Sequence, residues 1–351
     1  MTKRVDDLTL QTFIAEDLAS FVGTQRGRLK DLGSDIGDVL DAAADFIAGG
    51  KRLRPAFCYA GWCAGGGDPQ DRRIAWAAAS FEWLQASALV HDDLIDDSDT
   101  RRGKPSLHRR FEARHRDSGM QGDAEQFGMG AAILLGDLLL SWTDEMFRTS
   151  GFDQTAITRA FPYLDACKTE VVAGQFLDIV GQTKAETTVA DAIRIVRFKS
   201  AKYTVERPLH VGAALAGATP ETIAALTEFG QPLGEAFQLR DDILGVFGDP
   251  VVTGKPAGDD VREGKRTVLI ARTYELANTE GRMLLRRGLG NADHIGELST
   301  LIRDSGALDA VEQQIAELEA DAEAALQKIA DEAARDRLYG CLLYTSDAAD
   351  E

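Results

Sequence analysis

The period of hydrophobicity constrains this chain more than any other feature. Apolar residues return at intervals of three and four in "TFIAEDLASFV", "AIRIVRF" and "LIRDSGALDAVEQQIAELEADAEAAL", and in most segments between them. That spacing draws one apolar stripe along an α-helix, whereas a half-buried strand alternates at every second residue. Alternating runs bounded by turn pairs are nearly absent. Glycine and proline punctuate the chain at "AGGGDPQ", "RRGKP", "GATPET" and "RRGLGN". The pattern predicts roughly a dozen helices joined mostly by short loops, an all-α fold. No stretch rich in proline, glycine or serine separates two cores, so residues 1–340 read as one domain. The last residues, "CLLYTSDAADE" from Cys341 to Glu351, lose the period and carry acids but no base. They read as a disordered or non-native tail, resembling translated sequencing-adapter read-through.

Composition narrows the partners. The chain has 351 residues, 44% of them hydrophobic, enough for a large core. With 57 acidic and 39 basic residues the net charge is -18. That argues against a nucleic-acid partner, which calls for a basic footprint, but leaves room for a small anion held by local positive charge. The greasiest run, "AAILLGDLLL", is broken by Asp137, so no membrane span is expected. "MTKRVDDLTLQTF" lacks the apolar core of a signal peptide. Cys58, Cys63, Cys167 and Cys341 are scattered, without the paired spacing of a zinc site. Together these predict a cytoplasmic protein with reduced thiols. "GDPVVTGK" is not a phosphate-binding P-loop: five residues rather than four separate Gly248 from Gly254, Pro256 follows Lys255, and no strand precedes it.

Charge of one sign gathers in "LVHDDLIDDSDTRRG", where five aspartates fall between Asp92 and Asp99 behind an apolar segment. Like charges at helical spacing repel by about 0.2–0.5 kcal/mol per pair, so the cluster is tolerable at a solvated helix end and favourable around a cation. An echo follows in "EAFQLRDDILGVFGD", where Asp241 and Asp242 again close an apolar helical segment. Asp92 and Asp96 fall one turn apart on one face of a helix. Two such helices facing each other make a cleft with carboxylates on both sides. That suits Mg²⁺, which takes one or two carboxylates and completes its octahedron with water and phosphate oxygens. Cations gather near turns: Lys51, Arg52 and Arg54 in "GGKRLRP", Arg101 and Arg102 after the first cluster, Lys199 and Lys202 in "FKSAK", and Lys255, Lys265 and Arg266 in "GKPAGDDVREGKR". Guanidinium groups grip phosphate by paired hydrogen bonds, and lysine acts as a point charge. Two carboxylate walls with these cations suit two anions, one bridged by metal and one held directly.

The ordered series "GGKRLRP", "DDLID…RRG", "GQFLD", "FKSAKYT" and "FQLRDDILG…GKPAGDDVREGKRT" resembles the trans-isoprenyl diphosphate synthases over roughly residues 45–270. The resemblance implies a single-domain helical bundle around a deep central cavity, the isoprenoid synthase fold, working as a homodimer. It implies head-to-tail condensation of isopentenyl diphosphate onto an allylic diphosphate, with three Mg²⁺ ions per site and Mn²⁺ as a substitute. By position, Asp92, Asp93 and Asp96 resemble the first aspartate-rich motif, Asp92 and Asp96 holding metal against the allylic diphosphate, and Asp241 holds a further ion from the far wall with Asp242 behind it. Arg101, Lys199 and Lys255 would bind the allylic diphosphate; Lys51, Arg54, Gln85 and Arg102 would bind isopentenyl diphosphate. Ser200, Gln238 and Lys265 join the substrate-binding set, and Gln175, Asp178 and Gln238 match positions lining the reacting centre. Two departures stand out. The second motif usually closes with a fifth-position aspartate, here Gly245, and the usual Lys-Thr reads Lys199-Ser200, which keeps the hydroxyl.

The chemistry fits independently of the resemblance. Breaking a carbon–oxygen bond to release pyrophosphate needs positive charge at the leaving group and an apolar, water-free cavity for the allylic cation. No protein nucleophile is required, and no Ser/His/Asp or Cys/His set is evident. A terpene cyclase shares an aspartate motif but has no use for the "GGKRLRP" cations. A non-catalytic subunit of a heteromeric synthase tends to lose motif aspartates, and both leading pairs are present here. Product length is read from the helix below Asp92. Ser87 and Ala88, at positions where synthases of fifteen-carbon products commonly carry aromatics, are small, and Phe81 is the first bulky aromatic able to act as a floor, flanked by Leu84. With a rise of about 1.5 Å per residue the floor lies about 16 Å below Asp92, room for three to four isoprene units. The expected product is geranylgeranyl diphosphate, with farnesyl or longer diphosphates as alternatives.

Overall fold

A computed structural model describes residues 7–101, 103–184, 186–249 and 257–347 of the chain. Among them the fold is all-α, as the hydrophobic period predicts. The N-terminal part runs through α1 (Asp7–Leu29), α2 (Asp35–Phe46), α3 (Leu53–Ala64), α4 (Arg73–Ile95), α5 (Leu107–Asp117), α6 (Ala124–Arg148) and α7 (Gln154–Thr183). Next come α8 (Val189–Ile195), a π-helix (Val196–Glu206), α9 (Arg207–Ala216) and α10 (Pro220–Phe247). The C-terminal part holds α11 (Asp259–Arg262), α12 (Val268–Leu276), α13 (Thr279–Gly288), α14 (Ile295–Asp304), α15 (Ala307–Leu326) and α16 (Glu332–Asp347). The described residues form one sheet, a two-residue antiparallel pairing of Thr100–Arg101 with Lys104–Pro105.

Local chemistry sets the helix starts. Asp123 accepts from the Gln126 amide at the head of α6, and Asp153 from the Ala156 amide at the head of α7. Thr219 caps α10, with Pro220 at the first helical position, where its missing N–H costs nothing. Each such cap is worth about 1 kcal/mol.

Three apolar clusters hold the helices. The first joins α1 to α7 around Trp83, Trp142 and Phe147, with the Trp83 and Trp142 rings 5.3 Å apart. Trp83 is fully buried, and its indole N–H still finds the Met146 sulfur at 3.1 Å. The second packs Leu239, Ile243 and Val246 of α10 on Val268, Leu298, Ile302 and Val311 of the C-terminal helices. The third ties α3, α9 and α10 to α15 and α16 through Phe57, Leu209, Phe229, Leu326 and Leu338. Helix α16 continues through Cys341 to Asp347, where the sequence pattern suggests no periodic structure. Leu342, 7% exposed, belongs to the third cluster, so an apolar contact rather than a repeating pattern accounts for the helix here.

The π-helix is clasped between α7 and α10. A Cβ on Gly174 of α7 would lie 2.4 Å from the Lys199 nitrogen, and one on Gly234 of α10 would lie 2.7 Å from the Ala201 Cα. Only bare Cα atoms let the three backbones approach this closely.

Candidate active site

A cavity of about 860 Å³ opens between the first and second clusters, at the upper end of the range of ligand sites. Its walls come from α4, α7, the π-helix, α10 and the segment leading into α12. Both aspartate clusters reach it, and so do Lys51, Arg54, Gln85, Arg101, Gln175, Asp178, Lys199, Ser200, Gln238 and Lys265.

On α4, helical period turns Asp92 to the cavity and Asp93 away from it. Asp92 accepts from Gln175 Nε2 at 2.8 Å and lies 3.4 Å from Lys199 Nζ. Lys199 donates also to Asp178 at 2.6 Å, so the ammonium is strung between α4 and α7. Burial pushes the Asp92 carboxyl up, but Lys199, Lys265 and Arg101 outweigh it and hold Asp92 below the usual carboxylate range. Burial opposes the Lys199 charge in the same way, and Asp92 and Asp178 overcome it and raise its pKa. Asp93 is 1% exposed and accepts from Arg101 Nε at 2.8 Å, which places it behind the wall as the group that aims Arg101. Asp96, the C-cap of α4, is half-buried; burial, then the Asp92 charge, push it up to about 6.

On α10, Asp241 is exposed and Asp242 is 6% exposed. Gln238 Nε2 donates to Asp242 Oδ1 at 2.8 Å, while Oδ2 is buried with no hydrogen-bond partner. Burial, then Asp260, push the Asp242 carboxyl well up. Lys265 faces both clusters: it lies 3.2 Å from Asp260 and 2.7 Å from Glu263, and it acts electrostatically on Asp92 and Asp96.

Near the third group of cations, Arg54 donates to Thr204 Oγ1 at 2.8 Å and stacks over the Tyr203 ring with its guanidinium carbon 4.1 Å from the ring centroid. The Tyr203 hydroxyl donates to Gln85 Oε1. Tyr203 and Thr204 both line the cavity, four and five residues after Lys199. The i→i+5 turn of a π-helix brings these positions to the side that carries Lys199, and such turns recur at functional sites. No sequence pattern announces a π-helix, which is why the sequence assigned these two residues no role.

Several expected residues lie elsewhere. Arg52 sits in the left-handed region, φ 55°, with its side chain 8% exposed and paired with Glu82, so it braces the start of α3 rather than facing an anion. Lys202 is 3.1 Å from Glu206, off the cavity wall. On α4 the wall descends through Ala88, Ser87 and Leu84 and stops there; Phe81, expected as the floor, is fully buried in the first cluster. Arg102 and Lys255 lie outside the described residues.

The carboxylates suit a hard cation. Among the described residues no three Asp, Glu, His or Cys side chains gather tightly enough to hold a metal alone. Mg²⁺ asks for less: one or two carboxylates, with water and phosphate oxygens completing the shell. The partnerless oxygen of Asp242 beside Asp241 is the kind of group such an ion would satisfy. No helix among the described residues is long and apolar enough to cross a membrane.

Comparison with known proteins agrees with this geometry. A family model described as Polyprenyl synthetase matches residues 37–304. The chain is similar to a crystal structure of geranylgeranyl pyrophosphate synthase from Corynebacterium glutamicum, complexed with isoprenyl diphosphate and magnesium, at 40% identity and a TM-score of 0.92 over 97% of this chain and 98% of that one. It is 34% identical to a geranylfarnesyl diphosphate synthase of Aeropyrum pernix over 76% of this chain and 80% of that protein. It is 33% identical to a geranylgeranyl diphosphate synthase of Saccharolobus solfataricus over 71% and 70%.

Proposed function

The chain belongs to the polyprenyl synthetase family and is a trans-prenyltransferase, and from that premise we propose that its product is the twenty-carbon geranylgeranyl diphosphate. The enzyme extends an allylic diphosphate with isopentenyl diphosphate. The observation that carries the reading is the ammonium of Lys199, held between Asp92 and Asp178 on the wall of a large cavity with carboxylates on α4 and α10.

In the proposed mechanism Asp92, Asp96 and Asp241 would hold Mg²⁺, three ions per site, with Mn²⁺ as a possible substitute. When bound, the metal neutralises charge growing on the leaving pyrophosphate. Arg101, Lys199 and Lys255 grip the allylic diphosphate. Lys51, Arg54, Gln85 and Arg102 grip isopentenyl diphosphate, with Ser200, Gln238 and Lys265 lining the site. The allylic carbon–oxygen bond breaks and its electron pair leaves with pyrophosphate. The alkene of isopentenyl diphosphate then bonds to the allylic carbon, and a proton passes to pyrophosphate. Charges already in place around the departing oxygens lower the barrier without reorganising at the moment of reaction. Apolar wall residues such as Leu84, Val171 and Ile195 keep water from the cation.

A product longer than fifteen carbons is supported by the small residues Ser87 and Ala88 below Asp92, which line the cavity and leave its upper part open. A homodimer is supported by exposed apolar residues on α6 and α7: Leu134 is 71%, Val172 63% and Phe176 64% exposed. Val172 and Phe176 also line the cavity, so a second copy seated there would close its side. Four unbridged cysteines support a cytoplasmic setting.

The test is purified protein with labelled isopentenyl diphosphate, an allylic primer and Mg²⁺. Twenty-carbon diphosphate is expected, and Ala88→Phe should shorten it. Cyclic hydrocarbon from the allylic substrate alone, or turnover only with another protein, would overturn the reading. A distribution unmoved by Ala88→Phe would overturn the role of α4 in setting length.

A further inference from the structure

On α4 the cavity wall ends at Leu84, and Phe81 below it is packed in the first cluster, so this helix brings no bulky floor to the chamber under the aspartates. On α7 the wall ends on a charge: the lowest lining residue of that helix is Lys168. Leu84 lies eight residues before Asp92, and Lys168 ten before Asp178. Those are drops of about 12 Å and 15 Å along the two helices. Lys199 joins Asp92 and Asp178 at the top, so the two walls stop at a similar depth. Helix α6 runs the other way, with its Ile133 carbonyl 3.4 Å from His91 and its Met146 sulfur 3.1 Å from the Trp83 nitrogen. Leu140 of α6 lines the cavity, and Asp144 falls one turn further down.

The Lys168 ammonium is anchored between the two helices. It donates to Asp144 Oδ1 at 2.6 Å and lies 3.0 Å from Asp165 Oδ1. Behind it stands the Phe161 ring, 5.3 Å from Nζ and packed on Phe147 at 5.9 Å. The lysine side chain is 16% exposed, whereas Asp144 and Asp165 reach solvent. Above the ion pair the wall is apolar, with Leu84, Ala88, Leu140 and Val171. A hydrocarbon tail descending to this level would have to part the ammonium from its carboxylates, and it offers no hydrogen bond in return.

We propose that Lys168, held across the base of the cavity by Asp144, is the floor that sets product length. The proposal rests on the prenyltransferase reading and names a specificity-determining residue of that same cavity. One helical turn, about 5.4 Å, is roughly the reach of one isoprene unit, so the chamber seats an acceptor of two to three units. A three-unit acceptor gains one unit and leaves with twenty carbons. A four-unit acceptor would drive its end into the ion pair and is not extended. A pair that merely ties α6 to α7 predicts a change of stability and none of product.

The experiment gives the full chain labelled isopentenyl diphosphate, an allylic primer and Mg²⁺, and reads product length by chromatography beside the melting temperature. Lys168→Ala removes a side chain of about one unit's reach and is expected to lengthen the main product by about one unit. Lys168→Arg keeps the pairing and should keep the wild-type product. Lys168→Glu sets like charges against each other and should lengthen the product, and the reversed pair K168E/D144K should return it. This swap decides the matter if Lys168→Ala fails to fold. Wild-type product from folded Lys168→Ala or Lys168→Glu, or a reversed pair whose product stays as long as that of Lys168→Glu, would overturn the floor. Absence of any prenyl diphosphate from the wild-type chain would instead strike the reading beneath it, so the two failures are distinct.

Discussion

On α4, Asp92 lies between Gln175 and Lys199, and Asp93 behind it is paired with Arg101. On α10, Asp242 keeps one buried oxygen without a partner, and Asp260 adds a further carboxylate beside it. Neighbouring cations hold Asp92 below the usual range, whereas burial and Asp260 push Asp242 above it. On α4, Asp92 carries its own counter-charge, while burial raises Asp93 and Asp96 beside it. The α10 wall has an excess of negative charge that a bound cation would offset. A cluster of like charge is thus two different things according to what its neighbours supply: carboxylate balanced by cations at Asp92, and carboxylates crowded together at Asp242 and Asp260.

The largest effect expected comes from removing that balance. Asp92→Ala deletes a carboxylate proposed to hold metal and one of the two acceptors that position Lys199, and should lower turnover by about 10²-fold or more. Asp241→Ala should also lose heavily, but since it leaves Lys199 in place it should recover part of its rate at raised Mg²⁺, while Asp92→Ala should not. Steady-state rates across a Mg²⁺ series distinguish them. Equal rescue of both variants would break the contrast between the walls, and near-wild-type turnover in both would remove the metal clamp.

A second effect tests how the counter-charge of the α4 wall is held in place. Gly174→Ala puts a methyl group 2.4 Å from the Lys199 nitrogen, inside the contact distance of any real Cβ. Overpacking of this kind costs about 1–3 kcal/mol. Displacing a positioned group by an ångström can cost about 10²-fold in rate. Turnover should therefore fall further than the melting temperature predicts. Unchanged kinetics would mean that the clasp on the π-helix does not set the Lys199 position.

These two walls differed in how far the sequence disclosed them. The helices were legible because a 3.6-residue apolar period has one structural solution; of the α4 pair that repeats at one turn, Asp92 lines the cavity and Asp96 is half-buried beyond its lining. What lies behind a wall was not legible. Asp92 and Asp93 are identical letters, and their partners across the fold, Gln175 and Lys199 for one and Arg101 for the other, show that one faces the cavity and the other is buried. Phe81 was read as a floor from its distance along the helix and its place on nearly the same face as Asp92, but the cavity wall on α4 ends at Leu84 and Phe81 packs in the first cluster below it. Arg52 reads as an anion ligand until its left-handed backbone turns it onto Glu82. Tyr203 and Thr204 depend on a π-turn, and Asp260 on a contact across the fold, neither of which is written in local spacing.

Acidity gives a smaller effect that sharpens the same comparison. Burial and Asp92 raise Asp96 to about 6, and Asp242 is raised as well. For these two groups the folded, metal-free protein holds protons that the unfolded chain has already released between the ordinary carboxylate range and pH 6. Their contribution to stability therefore falls as pH rises through that window. Asp92, held low, contributes with the opposite sign, its stability present above its unfolded pKa and lost on acidification through the lower folded value. A divalent ion competes with the protons on Asp96 and Asp242, so stabilisation by Mg²⁺ with pyrophosphate should be larger at pH 7 than at pH 5. Melting curves with and without Mg²⁺ check it, and an increment independent of pH would remove the excess negative charge from the account.

The smallest effect concerns what braces the α10 wall from outside. Helix α16 packs in the cluster that also holds Phe229 and Leu233 of α10 and Phe57 of α3, and its last described turns carry Leu342. Deleting Cys341–Glu351 exposes that cluster where Leu342, 7% exposed, now covers it. Burial of a leucine is worth about 1.5–3 kcal/mol, less whatever the shortened helix recovers by collapsing onto the gap. For a chain of this size each kcal/mol moves the melting temperature by about 2–4 °C, so a fall of a few degrees is expected. None of the described residues in the deleted segment lines the cavity, and turnover at moderate temperature should be unchanged. Leu342→Ala in the full chain separates packing from length, since it should reproduce most of the fall. A flat melting temperature in both would return these residues to the status their sequence suggests, a segment appended to the fold without taking part in it. A fall in turnover larger than the loss of stability would mean instead that α10 transmits its outer packing to Asp241 and Asp242, and that the wall with crowded carboxylates is also the one held from a distance.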